Sequence, residues 1–211
     1  MTYAFRPQDL DRRLYGVFAG IVEDNNDPEH EGRVTLRLPW LDDATVTDWC
    51  RVAQPYAGNG FGAVWIPEKQ MEVLVAFVHG DMTEPVVIGG AYNGKDKPPA
   101  FRDGTKQDIK MWRTKAGHEV RLDDSDNQHA IEILTAGNHS IILDDQNQQV
   151  AISSAGGSQI TLDDTSKEVE IAVQGGQAKI TIDATGNITL EGKVIKVSGT
   201  SVTISGQVSL G

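Results

Sequence analysis

The 211-residue sequence holds a single cysteine, Cys50, so it builds neither an internal disulfide framework nor a multi-cysteine zinc site. Beside Trp49 that thiol reads as a small packed side chain. Long apolar runs are missing too: the longest, Val73 to Val78, is of strand length and far short of a membrane span. Residues 1–20 carry Arg6, Arg12 and Arg13 among polar neighbours without the apolar stretch of a secretory signal, so no signal peptide is expected. Basic residues are few, 19 Lys and Arg against 30 Asp and Glu for a net charge of −11. They lie singly among acids, which opposes a phosphate-tracking surface and with it a nucleic-acid partner. Aromatic side chains thin out along the chain, and beyond residue 101 only Trp112 remains.

What is present is a folded composition, 39% hydrophobic and 23% charged, too apolar for wholesale disorder. Up to about residue 94 aromatics are dense and short segments alternate, as in Arg33-Val34-Thr35-Leu36-Arg37-Leu38, the pattern of a half-buried strand. Asn93 to Thr105, with Pro98-Pro99, Gly94 and Gly104, has turn and linker chemistry. After it the texture repeats. Val120-Arg121-Leu122-Asp123-Asp124, Ile141-Ile142-Leu143-Asp144-Asp145, Ile160-Thr161-Leu162-Asp163-Asp164 and Ile180-Thr181-Ile182-Asp183-Ala184 recur about every 20 residues, which means a stacked architecture. A second alternating strand follows each acidic turn, as in Ile131-Glu132-Ile133 and Val150-Ala151-Ile152, and a Gly-rich turn follows that. Towards the end the repeat tightens to seven residues in Leu190-Glu191-Gly192, Val197-Ser198-Gly199 and Ile204-Ser205-Gly206. No helix of ordinary length fits between residues 107 and 211.

A lone ladder of such strands has one apolar face and nothing to bury it against. A self-coiled solenoid needs about three strands per turn and a larger interior. Units of two strands and then one point instead to three identical chains closing a triangular prism, with Val197, Val202, Ile204, Val208 and Leu210 as the candidate trimer core. Roughly ten strands at one inter-strand spacing each give a rod on the order of 50 Å.

The N-terminal part carries a specific run of residues. Tyr15-Gly16-Val17-Phe18-Ala19-Gly20-Ile21-Val22 continues through Asn26-Asp27-Pro28 and Gly32-Arg33-Val34 to Arg37-Leu38-Pro39-Trp40. Ala57-Gly58, Ile66-Pro67, Glu72 to Phe77, Gly80-Asp81, Pro85 to Gly89 and Tyr92-Asn93-Gly94 follow in order. This resembles the OB-fold domain of the VgrG and phage baseplate assembly protein V family, the central spike proteins of contractile tails and type VI secretion systems. Gly117-His118-Glu119-Val120 and the Leu-Asp-Asp repeats are similar to the trimeric β-helix of the same family. The resemblance implies an all-β chain: an arm over 1–13, an OB-fold barrel over 14–94, a linker over 95–109 and an intertwined homotrimeric β-helix spike over 110–211. It further implies a separate baseplate hub protein at the OB end, inner-tube and baseplate neighbours, and transient contact with the target membrane. A PAAR-type tip protein is expected at Gln207, Val208, Ser209, Leu210 and Gly211. The expected location is the baseplate of a virion or tail-like particle assembled in the bacterial cytoplasm.

Other chemistries weigh against this frame. Asp27-Pro28 to Gly32-Arg33 reads as a hairpin loop before it reads as an acidic metal loop. The Leu-Asp-Asp turns lack the glycine patterns of calcium loops and are read as turn formers. His118, His129 and His139 would triple around an axis if any pointed inward, but each lies at a strand start or in a turn, where an exposed position is expected; no cofactor is expected. No nucleophile elbow, phosphate loop or dinucleotide fingerprint is present, so no enzyme activity is expected. The rival from another class is a carbohydrate-binding or carbohydrate-degrading β-helical tailspike, which would need a groove of aromatics and carboxylates.

Overall fold

The computed structural model of the chain describes residues 13–42, 44–99, 107–173 and 176–209. Residues 1–12 of the expected arm, part of the expected linker, and Leu210 and Gly211 lie outside the described residues. The chain separates into two compact units, Met1–Pro98 and Pro99–Gly211. The expected all-β class holds, since the described regular structure is strand apart from one short 3-10 turn at Val78–Gly80.

In the first unit a five-stranded sheet has the order β2-β1-β6-β7-β3, formed by β1 (Val17–Asp24), β2 (Thr35–Arg37), β3 (Arg51–Val52), β6 (Glu72–Phe77) and β7 (Pro85–Gly90). A separate small hairpin joins β4 (Ala57–Gly58) to β5 (Phe61–Gly62). All neighbours in the larger sheet are antiparallel except β3 with β7. Alternation decides the fold. Along β6 every second side chain, Val73, Val75 and Phe77, is buried. These meet Val22, Val34, Leu36, Leu38, Cys50 and Val87 in one core, with Leu14, Phe18, Val52 and Ile66 packed at its margin. Bridges Val34↔Cys50 and Arg37↔Val46 bend the segment after β2 back over that core. Gly20 sits at a close approach within the core: a Cβ there would lie 3.0 Å from Val75 Cγ2 and 3.4 Å from Leu38 Cδ2.

The second unit is a single nine-stranded antiparallel meander in strictly sequential order: β8 (Ile109–Arg113), β9 (Glu119–Ser125), β10 (Gln128–Leu134), β11 (Ser140–Asp144), β12 (Gln149–Ser153), β13 (Gln159–Asp163), β14 (Glu168–Val173), β15 (Ala178–Ile182) and β16 (Ile188–Glu191). Residues 192–209, where the seven-residue repeat lies, carry no strand. Their apolar-x-apolar pairs have the strand pattern, but no strand of the same chain is there to complete a ladder.

Candidate functional site

Pairing register in the meander brings like residues together. Trp112, Val120, Ile133, Ile141, Ile152, Ile160, Ile171, Ile180 and Leu190 face one another strand by strand, and a second ladder runs through Leu122, Ile131, Leu143, Val150, Leu162, Val169, Ile182 and Ile188. Residues two apart along a strand share a face, so both ladders lie on one side of the sheet. That side is uncovered in the single chain: the isoleucines and leucines of the two ladders are between 37% exposed (Ile160) and 67% exposed (Ile188). The opposite side is polar and braced by cross-strand ion pairs. Arg121 Nε lies 3.0 Å from Glu132 Oε2, Arg113 Nε 3.2 Å from Glu119 Oε1, and Lys179 Nζ 3.2 Å from Glu170 Oε2. Beneath Arg121, Glu132 and Asp123 are both buried.

The two edges of this sheet differ in chemistry. On one, the first Asp of each repeat folds the turn. Asp144 Oδ1 accepts the Asn147 N–H at 2.8 Å, Asp163 Oδ1 accepts those of Thr165 and Ser166 at 2.8 Å each, and Asp183 Oδ1 accepts those of Thr185 and Asn187 at 2.8 and 3.0 Å. Hydrogen bonds to the charged form favour it. The Asn147 N–H holds Asp144 below the usual carboxylate range, the Ser166 N–H does so for Asp163, and the Thr185 hydroxyl and Asn187 side chain bring Asp183 down to about 2. The acidic turns are thus turn formers, and among the described residues no three His, Cys, Asp or Glu side chains converge as a metal cluster.

The other edge is built from Thr114 to His118, Thr135 to His139 and Ser154 to Ser158. In each, the leading hydroxyl oxygen accepts the N–H four residues on, at 3.1, 3.1 and 3.0 Å. A positive φ closes each turn, at Gly117, Asn138 and Gly157. Glycine or asparagine suits that left-handed position. His118 Nδ1 accepts the Ala136 N–H at 3.4 Å and His139 Nδ1 accepts the Ala155 N–H at 3.3 Å, each imidazole reaching to the next turn along the edge.

All three histidines singled out in the sequence are exposed. By alternation they share the face of the apolar ladders, His118 with Val120, His129 with Ile131 and His139 with Ile141. The chain brings His118 and His139 to one edge and sets His129 on the other, opposite Asp124. Val197, Val202, Ile204, Val208, Gln207 and Ser209 are exposed and outside any strand. Of the tryptophans, Trp40 packs on Phe18 with ring centroids 4.8 Å apart, while Trp65 and Trp112 are mostly exposed.

In the first unit, the loop between β1 and β2, read in the sequence as a hairpin, is organised by one carboxylate. Asp27 accepts the N–H groups of Glu29, Glu31 and Arg33 and takes both Nε and Nη2 of Arg33, at 3.0 and 2.8 Å. Arg33 holds its carboxyl well below the usual range, and Asp27 in turn raises the guanidinium. Those bonds use the carboxylate for loop folding, as the hairpin reading expects. Cys50 is buried, with Sγ 3.0 Å from Thr47 Oγ1, and burial pushes its thiol up.

The family model of the type VI secretion system and phage-baseplate injector OB domain matches residues 18–92, from β1 to just past β7. Residues 18–92 are similar to an injector OB domain. Three curated relatives are similar to part of the chain. The type VI secretion system spike protein VgrG2a of Pseudomonas aeruginosa is 31% identical over 112 residues, 49% of this chain and 13% of that protein. VgrG4b of the same organism is 34% identical over 109 residues, 47% of this chain and 14% of the relative. The actin cross-linking toxin VgrG1 of Vibrio cholerae is 33% identical over 75 residues, 34% of this chain and 7% of the toxin. The chain therefore covers only a small share of the relatives it matches. The resemblance to baseplate assembly protein V and VgrG spike proteins stands on these matches and on the injector OB domain. Among the described residues no helix is long and apolar enough to cross a membrane.

Proposed function

We propose that the chain is a non-enzymatic central spike of a contractile baseplate, acting as a homotrimer. The observation that carries this reading is the pair of uncovered apolar ladders running the length of a sheet that follows an injector OB domain. In water such a face costs roughly 25 cal/mol for every Å² left unburied, so nine strands of it call for a cover. Three copies supply it. Each contributes one meander as one side of a triangular prism with the ladders inward and the ion-paired side outward. Residues 192–209 then gain their ladder partners from the other copies, and the apolar pairs at Ile195/Val197 and Val202/Ile204 continue the interior.

The function that follows is mechanical. Sheath contraction drives the tube forward, and a narrow rod of cross-linked backbone hydrogen bonds concentrates the force on a small area of envelope. The OB end meets a separate hub, and the end near Gln207, Val208 and Ser209 carries a tip protein. The absence of clustered aromatics on the repeat disfavours the tailspike alternative.

Light scattering of the full-length chain tests the reading directly. A solution mass about three times the 22.9 kDa chain supports it. A stable monomer over a wide concentration range overturns it.

A further inference from the structure

The two edges of the meander alternate in height as well as in chemistry. Acidic turns join β9 to β10, β11 to β12 and β13 to β14; hydroxyl-glycine turns join β8 to β9, β10 to β11 and β12 to β13. Neighbouring strands are about 4.8 Å apart, so turns on either edge recur every ~9.6 Å and those of the opposite edge are offset by one strand.

Each Asp-Asp pair also divides its labour. The first Asp folds the turn, as described above. The second, Asp124, Asp145 or Asp164, falls by alternation on the face of the apolar ladders. Asp124 lies 3.2 Å from Lys110 Nζ. Among the described residues the carboxylates of Asp145 and Asp164 make no hydrogen bond or ion pair, and both residues are exposed. On the other edge, His118 and His139 use Nδ1 as an acceptor. A neutral imidazole that accepts at Nδ1 carries its proton on Nε2, and among the described residues that donor has no hydrogen-bond acceptor.

We propose that each corner of the spike is a clasp between unlike edges of adjacent copies: the acidic turn 145–148 of one chain seats between the turns of the next that end in His139 and Ser158, with Asp145 accepting from the imidazole. The inference rests on the threefold reading above. Symmetry supplies the pairing, because a threefold rotation carries each edge onto its equivalent and every corner joins one acidic edge to one histidine edge. The half-step offset in height lets the turns interleave, and donors on one edge meet unused acceptors on the other. The turn 125–128 takes the same place between the turns ending in His118 and His139.

A cross-linking experiment on the full chain tests the clasp. The double variant His139→Cys with Asp145→Cys is treated with a short bis-maleimide, beside each single variant and the parent. The two positions are at opposite ends of β11, roughly 20 Å apart, too far to bridge within one chain. Covalent trimer from the double variant, with both singles at the parent's background, is the expected result. A second pair, Ser158→Cys with Asp164→Cys, repeats the measurement one level along should the first fold poorly. A protein that is trimeric by light scattering but stays uncoupled in both pairs, or whose single variants couple, overturns the clasp and leaves the trimer standing. A monomeric mass overturns the threefold reading itself.

Discussion

Replacing Leu162 by alanine, with Leu36→Ala as a reference, gives a quantitative test of what covers the apolar face. Leu36 is fully buried within the first unit. Its truncation removes a whole side chain from a closed core and costs about 3 kcal/mol. Leu162 stands on the second ladder between Val150 and Val169 and is 43% exposed in the single chain. If the chain stays alone, only the part already out of water is lost, and the cost is about half as large, ~1.5 kcal/mol. If three copies close over the ladder, each loses the full side chain, and one cooperative unit is destabilised by about 9 kcal/mol. Urea unfolding followed by far-UV circular dichroism at several protein concentrations separates the cases. For an assembly the midpoint rises with concentration and Leu162→Ala lowers it about as much as Leu36→Ala does, because the unfolding slope of the three-chain unit grows with the surface it exposes. A midpoint independent of concentration, with Leu162→Ala costing half as much as Leu36→Ala, would refute the reasoning.

Three further outcomes are expected. Gly20→Val presses a branched side chain against Val75 and Leu38, so the first unit loses about 1–3 kcal/mol; an unchanged thermal midpoint of the full chain would contradict the close approach described. Asp183 is held down to about 2, below an unfolded value of about 3.9, so its turn contributes stability above pH 4 that fades as pH falls towards 2. Urea midpoints measured across that range should slope less in Asp183→Asn than in the parent, and equal slopes would dissociate the turn from the acid response. Cys50, buried and with its thiol pushed up, should resist a thiol-reactive dye in the native protein and react once on denaturation; rapid native labelling would show that the core at Val34 and Leu36 opens readily.

Much of the second unit was legible in the chain because a period of two with regular spacing leaves few choices. Once Ile141-Ile142-Leu143 is read as a strand, a one-residue slip would turn both ladders to the other side, so the register follows from the pattern. Turn formation by Asp-Asp was legible for the same reason, but the different work of its two members was not. It depends on which carboxylate faces the turn N–H groups, and that is known only when the strand direction is fixed. The hydrogen bonds of His118 and His139 were hidden likewise, since each reaches a residue 18 or 16 positions away. In the first unit, β1 and β6 announced themselves by alternation, whereas β3, β4 and β5 are two residues long and too short to carry a pattern. The loop from Asp27 to Arg33 was legible as a hairpin, but which of its three acids organises it was not, since Asp27, Glu29 and Glu31 are told apart only when the loop closes around Arg33. The seven-residue repeat was visible, but its residues 192–209 form no strand in the single chain, and an apolar-x-apolar pattern does not name a ladder partner.

The strictly sequential order of the meander makes its length adjustable in steps of one kind only. Duplicating a 20-residue unit adds two strands, extends the sheet by about 9.6 Å, and returns the chain to the same edge with every later turn on its original side. Adding one strand would send all that follows to the wrong side, exchanging the acidic edge for the hydroxyl-glycine edge through the rest of the sheet. Length and edge chemistry are therefore separable properties of this architecture: the sheet can be lengthened or shortened in whole units while both of its ends stay as they were.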